Sequence, residues 1–135
     1  MPVTVGTVNV YQNIDLSLTN CGVPPVVHVR QHDHLARKVR CYLYANHLEY
    51  TIPNGATLVY AGTRPDGRVF AYSTEDSGND KVEKESSNTV LIVITKYMTE
   101  VAGKYPVDLI LMDGSDVLGS FSFCLSVESA ATALV

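Results

Sequence analysis

Hydrophobic and polar residues alternate with a period of two along most of this chain, and helical periodicity is nearly absent. The clearest case is the segment FSFCLSV, in which Phe121, Phe123, Leu125 and Val127 share one strand face. The same pattern predicts strands at Val3–Val10, Val26–Arg30, Lys38–Tyr44, Thr57–Thr63, Val69–Ser73, Val90–Thr95, Tyr105–Met112 and Leu118–Val127. Short strands at this spacing indicate an all-β fold, an antiparallel, immunoglobulin-like β-sandwich of about eight strands.

Face assignments follow from the alternation, because residues two apart on a strand point the same way. We expect the inward faces to include Val39, Cys41, Leu43, Phe121, Phe123, Leu125 and Val127.

Turn residues separate the predicted strands. Arg64-Pro65-Asp66-Gly67 is typical of a tight turn, since proline presets φ, aspartate caps locally and glycine accepts a positive φ. Asp113-Gly114 indicates a second hairpin turn. Glu75–Asn88 is polar and charged, which predicts a long mobile loop.

The segment Lys96–Gly103 has room for one helical turn before the strand that starts near Tyr105. Its position resembles the corner of immunoglobulin-like sandwiches, where a tyrosine hydroxyl binds backbone upstream of a strand. We therefore expect Tyr105 to have a structural role.

At 135 residues the chain has the length of one domain, residues 1–135, with 1–25 as an N-terminal arm and first strand. A net charge of −4 argues against a nucleic-acid partner, which would need clustered lysine and arginine. No apolar run approaches the length of a membrane helix. Three cysteines, with Cys41 and Cys124 on opposite sides of their layers, predict reduced thiols.

His28, His32 and His34 would share a face if one strand continued through them, and His32 and His34 would then lie about 7 Å apart at Cα. This pair is the candidate metal site, although a turn at residues 31–35 would separate them, and we expect no metal. The serines lack the Gly-x-Ser-x-Gly elbow, and Ala102–Tyr105 lacks the residues of a phosphate loop. Nothing in the sequence assembles a catalytic site, so we expect neither an enzyme nor a cofactor.

Several motifs occur in a distinctive order. Arg30-Gln31-His32-Asp33 precedes Arg37, and Arg64-Pro65-Asp66-Gly67 follows; the last third contains Ala102-Gly103, Tyr105, Asp113, Gly119 and Phe123. This order over residues 26–128 is similar to the N-terminal domain of tailed-phage baseplate upper proteins, also found in prophages of Gram-positive bacteria. The chain departs from that pattern at His32, where the family usually has glycine.

The resemblance implies a structural role in the virion, made in the host cytoplasm and located in the tail baseplate, joining the tail hub to the host-recognition apparatus. It implies other tail proteins as partners, leaves homo-oligomerisation open, and places Asp33 as a cap of the turn after Gln31, paired with Arg37. Family members usually continue into a trimerising stalk, so we expect this chain to hold the attachment domain alone. The structural or interface residues are then Arg30, Gln31, Asp33, Arg37, Arg64, Pro65, Asp66, Gly67 and Tyr105.

The alternative is a carbohydrate- or receptor-binding sandwich. Such a module needs exposed aromatic side chains on one face, and the candidates are Tyr42, Tyr44, Tyr50 and Tyr60.

Overall fold

The computed structural model describes residues 10–18, 24–34, 37–74 and 81–129, which form ten strands and a short helix. In chain order these are β1 Val10–Ser17, β2 Val26–Arg30, β3 Arg37–Ala45, β4 Leu48–Glu49, β5 Thr57–Thr63, β6 Val69–Ser73, β7 Val82–Ser86, β8 Thr89–Val93, α1 Lys96–Thr99, β9 Gly103–Asp113 and β10 Asp116–Glu128. The first sheet has the order β1-β3-β8-β7 with β4 beside β3, and the second has the order β2-β10-β9-β5-β6. The predicted β-sandwich is confirmed.

Both sheets are mixed, so the prediction of purely antiparallel pairing is wrong. β1 pairs with β3 in parallel, and β2 pairs with β10 in parallel, while the remaining pairs are antiparallel. The consecutive strands β1 and β2 lie in different sheets. The chain therefore crosses between the layers at this point instead of turning back as a hairpin, and parallel pairing becomes available to both strands.

The predicted inward residues form much of the core. Val39, Cys41 and Leu43 of β3 and the alternating residues of β10 are all buried. Tyr60 of the second sheet is fully buried as well, and its hydroxyl donates a 2.7 Å hydrogen bond to the carbonyl of Val93 in the first sheet. This bond satisfies a polar group inside the core and ties the two layers together.

The first described strand lies later in the chain than predicted. The sequence placed a strand at Val3–Val10, which falls outside the described residues except for its last position, whereas β1 covers Val10–Ser17. Leu16 is buried while Asp15 is exposed, and Asn13 and Gln12 interrupt the hydrophobic alternation. A strand at the edge of a sheet tolerates such polar residues, and the weak alternation hid it.

The polar segment Glu75–Asn88 contains a strand, so the prediction of an uninterrupted loop is wrong. β7 spans Val82–Ser86 and pairs with β8 in an antiparallel hairpin, while residues 75–80 lie outside the described residues. In β7 Val82 is buried and the other side chains are exposed. Charged side chains are typical of edge strands, where they oppose pairing with another chain.

One end of the sandwich contains α1, and we call it the α1 end. The predicted helical turn is present as α1, Lys96–Thr99. Strands β2, β5, β8 and β10 run toward this end, and β9 and β6 start from it, as the strand pairings require. The turn after β2 and the hairpin after β5 therefore lie beside the helix.

The exposed edge of β2 is closed by a side chain. Gln12 Nε2 donates a 2.6 Å hydrogen bond to the carbonyl of His28, and the His28 N–H donates to Gln12 Oε1 at 3.4 Å. Since alternate residues of β2 pair with β10, these groups of His28 point away from the sheet. Gln12 thus links β1 in one sheet to β2 in the other.

Candidate functional site

Three motif segments meet at the α1 end. The turn at residues 31–34, the hairpin at residues 64–67 and the start of β9 all contact residues 96–100. We call this assembly the motif corner, and define it as residues 30–34, 37, 64–67, 96–100 and 103–105.

The turn after β2 is held against the helix by hydrogen bonds. Gln31 Nε2 donates to the carbonyl of Glu100 at 2.9 Å, and the His32 N–H donates to the carbonyl of Thr99 at 3.1 Å. Thr99, which is fully buried, returns a hydrogen bond from Oγ1 to the carbonyl of Asp33 at 2.8 Å. Backbone groups that would otherwise be unsatisfied at the end of both segments are paired with each other.

Asp33 closes this turn. Its Oδ2 accepts a 2.8 Å hydrogen bond from the Arg30 N–H and one from Arg37 Nε at 2.5 Å, and the Asp33 N–H donates to the Arg30 carbonyl at 3.2 Å. The side chains of Asp33 and Arg37 are each about three-quarters buried. Asp33 and Arg37 therefore occupy the geometry that the family pattern implies.

Replacing Asp33 with alanine should lower the free energy of unfolding by about 1–2 kcal/mol, because the Arg30 N–H and Arg37 both lose a charged acceptor. Arg37→Ala should cost about 0–1 kcal/mol, since the turn retains its cap. Urea denaturation of both single variants and the double variant measures the coupling. Neutral single variants together with zero coupling would contradict this role.

His32 has a φ of +73°, a conformation that glycine adopts more easily than other residues. A histidine in this conformation adds some backbone strain to the turn.

The histidine pair does not have the geometry on which the metal hypothesis depended. β2 ends at Arg30, so His32 and His34 lie in a turn and not on one strand. His34 Nδ1 accepts a 2.9 Å hydrogen bond from the Lys96 N–H at the start of α1, which occupies that nitrogen's lone pair. Among the described residues, no group of three or more His, Cys, Asp or Glu is placed to hold a metal ion.

Arg64 is the most connected side chain of the motif corner. It is only 6% exposed, and its Nη1 donates to the carbonyl of Tyr97 at 2.9 Å and to Glu100 Oε1 at 3.2 Å. Its Nε and Nη2 bind the two carboxylate oxygens of Asp66 at 3.0 and 2.5 Å. The guanidinium also lies 4.4 Å from the centre of the Tyr97 ring. A planar fork with several fixed donors suits this set of acceptors, which a lysine could not match.

The predicted turn at residues 64–67 is present. The Gly67 N–H donates to the Arg64 carbonyl at 2.9 Å, and Gly67 has a φ of +89°. Asp66 Oδ1 accepts a hydrogen bond from the Arg68 N–H at 3.3 Å, the local cap expected of an aspartate at this position.

The start of β9 packs against the same hairpin. Gly103 has a φ of +138°, and a Cβ at this position would lie 2.9 Å from Pro65 Cγ. Two residues later the Tyr105 hydroxyl donates a 2.8 Å hydrogen bond to the carbonyl of Met98, the corner bond expected from the sequence. The hairpin and the start of β9 are therefore in contact, and all three motifs are tied to residues 96–100.

Hydrogen bonds from Arg64 lower the pKa of Asp66 to about 2. The stabilisation that this carboxylate contributes is present above its unfolded-state pKa of about 3.9 and is lost as the pH falls through the folded-state value. We expect Asp66→Asn to reduce the free energy of unfolding at neutral pH, and the difference from the unmodified chain to shrink as the pH approaches 2. Urea denaturation across this pH range measures the difference, and a gap that does not vary with pH would contradict the assignment.

Many polar side chains of the motif corner bind one another or the backbone. Asp33 pairs with Arg37, and Arg64 pairs with Asp66 and Glu100. The Tyr105 hydroxyl is bonded to backbone, and burial raises the pKa of Tyr105. Burial also raises the pKa of the Cys41 thiol, which keeps that sulfur in its unreactive protonated form. No helix among the described residues is long and apolar enough to cross a membrane.

The tyrosines proposed for sugar binding divide into two pairs. Tyr60 is fully buried, so its proposal as a surface aromatic is wrong, and Tyr50 packs edge-on against Phe121 at a 5.6 Å ring separation. Tyr42 and Tyr44 lie half-buried on the outer face of the first sheet.

Sequence reasoning missed the residues that receive the motifs. Hydrogen bonds to residues 31–33 and to Arg64 come from Tyr97, Thr99 and Glu100. No local sequence pattern marks these three residues as partners of the motifs. Gln12 was missed as well. Its one signal in the sequence is that a polar residue stands where the alternation would place a hydrophobic one.

Comparisons with known proteins address the fold. No protein-family model and no curated protein sequence matches the chain. Among solved structures, the N-terminal domain of phage TP901-1 ORF48 superposes with a TM-score of 0.67 at 15% sequence identity. The chain has the fold of a phage protein domain. The match covers 88% of this chain and 98% of that domain, so the likeness includes both sheets and not one shared hairpin.

Proposed function

We propose that this chain is a structural component of a phage or prophage tail baseplate, and that its sandwich is the attachment domain joining the tail hub to the host-recognition apparatus. The observation that carries the proposal is the shared fold with a phage N-terminal domain over 98% of that domain. The motif order in the sequence supports it independently, because that resemblance was drawn from residues and not from the fold.

In this proposal the motif corner gives the sandwich a rigid end. Arg64, Asp33 and Tyr105 fix the turn, the hairpin and α1 in one arrangement. A component that is assembled in many copies needs a rigid scaffold, since flexible surfaces add an entropic cost to each contact. In this proposal the protein is not an enzyme, its location is the virion tail, and its partners are other tail proteins.

Co-expression with the neighbouring tail proteins of its phage tests the proposal. We expect a stable complex with a hub component that survives size-exclusion chromatography. An unrelated β-sandwich of similar net charge serves as the control and should not co-elute. If the chain bound none of the tail proteins, the attachment role would be contradicted.

A receptor-binding module is the second candidate. Tyr42 and Tyr44 lie two residues apart, half-buried on the outer face of β3, and Tyr11 of the neighbouring strand is 45% exposed. Exposed aromatic rings on one face provide apolar surface for a sugar ring. Glycan-array binding that is lost in Tyr42→Ala, in a chain that ignores tail proteins, would favour this function.

A further inference from the structure

The outer face of the second sheet, the side turned away from the first sheet, is weakly charged across its middle, and the exposed pair Arg30 and Glu128 lies at the α1 end of it. Ser122, Asp108, Ala61 and Ala71 lie opposite one another in a row across β10, β9, β5 and β6. On the edge strand β6, Val69 is 69% exposed. A row across the outer face of the first sheet includes two charged residues, Arg40 and Glu83. A weakly charged sheet face is the surface better suited to burial against another protein.

Two opposite charges stand on the central strand of this face. Lys104 and Asp108 of β9 are exposed, while Tyr105 and Val107 between them point into the core. The two charged residues lie four positions apart, about 13 Å along the strand, with Pro106 midway. Asp108 Oδ1 accepts a 2.6 Å hydrogen bond from Ser122 Oγ, which holds the carboxylate on the face.

We propose that this face pairs with the same face of a second copy of the chain, with the two β9 strands antiparallel and the two-fold axis passing over Pro106. This arrangement goes beyond the proposed function, which concerns other tail proteins. A two-fold axis at the midpoint exchanges the two ends of β9, so Lys104 of each copy faces Asp108 of the other. With the β9 strands parallel, like charges would face each other. Charge complementarity therefore selects one orientation.

The size of the face fits a weak dimer. The sheet is five strands wide at a spacing of about 4.8 Å, and about eight residues of β9 at about 3.3 Å each give its length. The product is an area of roughly 600 Å² per copy. A standard interface buries about 800 Å² per partner. We therefore expect dimers that dissociate on dilution.

Charge-reversal variants test the proposal. The unmodified chain should show monomer–dimer exchange by sedimentation velocity across micromolar concentrations. Lys104→Glu places two acids against each other at both symmetric contacts, and Asp108→Lys places two lysines there. Each variant should weaken dimerisation by about tenfold or more.

The decisive measurement mixes the two variants. A heterodimer of Lys104→Glu with Asp108→Lys again has opposite charges at both contacts, so the mixture should dimerise at concentrations where either variant alone is monomeric. Glu83→Lys, a charge reversal on the outer face of the first sheet, is the matched control and should dimerise normally.

Three outcomes would overturn the proposal: a monomeric unmodified chain at the highest concentration, dimers of unchanged affinity in both single variants, or a mixture that dimerises no better than the single variants. None of these outcomes bears on the tail role, which is measured separately by co-elution with the tail proteins. A monomeric variant that still binds a tail hub protein would place the two contacts on different surfaces.

Discussion

Replacing Phe123 with alanine should lower the free energy of unfolding by about 3–5 kcal/mol. Phe123 is fully buried at the centre of β10, between the two sheets. Truncation removes the transfer free energy of the ring and leaves a cavity that strands on both sides cannot close, since each is held by its own ladder. The midpoint of urea denaturation, with the slope unchanged, measures this loss.

Ser120→Ala is the matched control for that measurement. Ser120 lies on the same strand but on the exposed face, so its replacement should change stability by less than about 0.5 kcal/mol. A loss below about 1 kcal/mol for the phenylalanine variant would mean that the packing around Phe123 adjusts freely, which contradicts its position in the core.

Arg64→Met should have the second largest effect, a loss of about 3 kcal/mol, because it removes one partner of a network and leaves the others unpaired. The variant fills similar volume, so the loss reports the hydrogen bonds to Asp66, Tyr97 and Glu100 and not a cavity. Arg64→Lys should recover little of the loss, since an ammonium group cannot reproduce the fork that binds both carboxylate oxygens of Asp66.

Arg68→Met supplies the control for this variant. Arg68 lies in the same hairpin, but its side chain is 72% exposed, and the same change there should alter stability by less than about 0.5 kcal/mol. Equal effects at the two positions would show that the hairpin, and not the buried guanidinium, determines the result.

The alternation of β9 and β10 made their inward faces predictable because one side of each strand is core and the other is exposed. β7 was hidden because Val82 is its buried residue and the rest of the strand is solvated. The parallel pairing of β1 with β3 and of β2 with β10 could not be predicted. Alternation determines which face of a strand is buried but not which strand lies beside it.

The motif corner was predictable in its residues and not in its contacts. The sequence predicts structural roles for Asp33, Arg64 and Tyr105. An arginine in a turn is ordinarily exposed to solvent. Arg64 is instead buried, because the carbonyl of Tyr97 and the carboxylate of Glu100, more than thirty residues later, are brought to it by the fold. Contacts of that sequence separation depend on the tertiary arrangement, which no local pattern encodes.

The amide of Gln12 has a consequence for how copies of this chain can grow into larger structures. By occupying the outward N–H and carbonyl of His28, it removes the template on which a foreign strand would dock along β2. Continuous cross-chain pairing along this edge, the route to fibres, is therefore interrupted at His28. A second copy that approached this side of the sandwich would meet side chains at His28 and not free backbone groups.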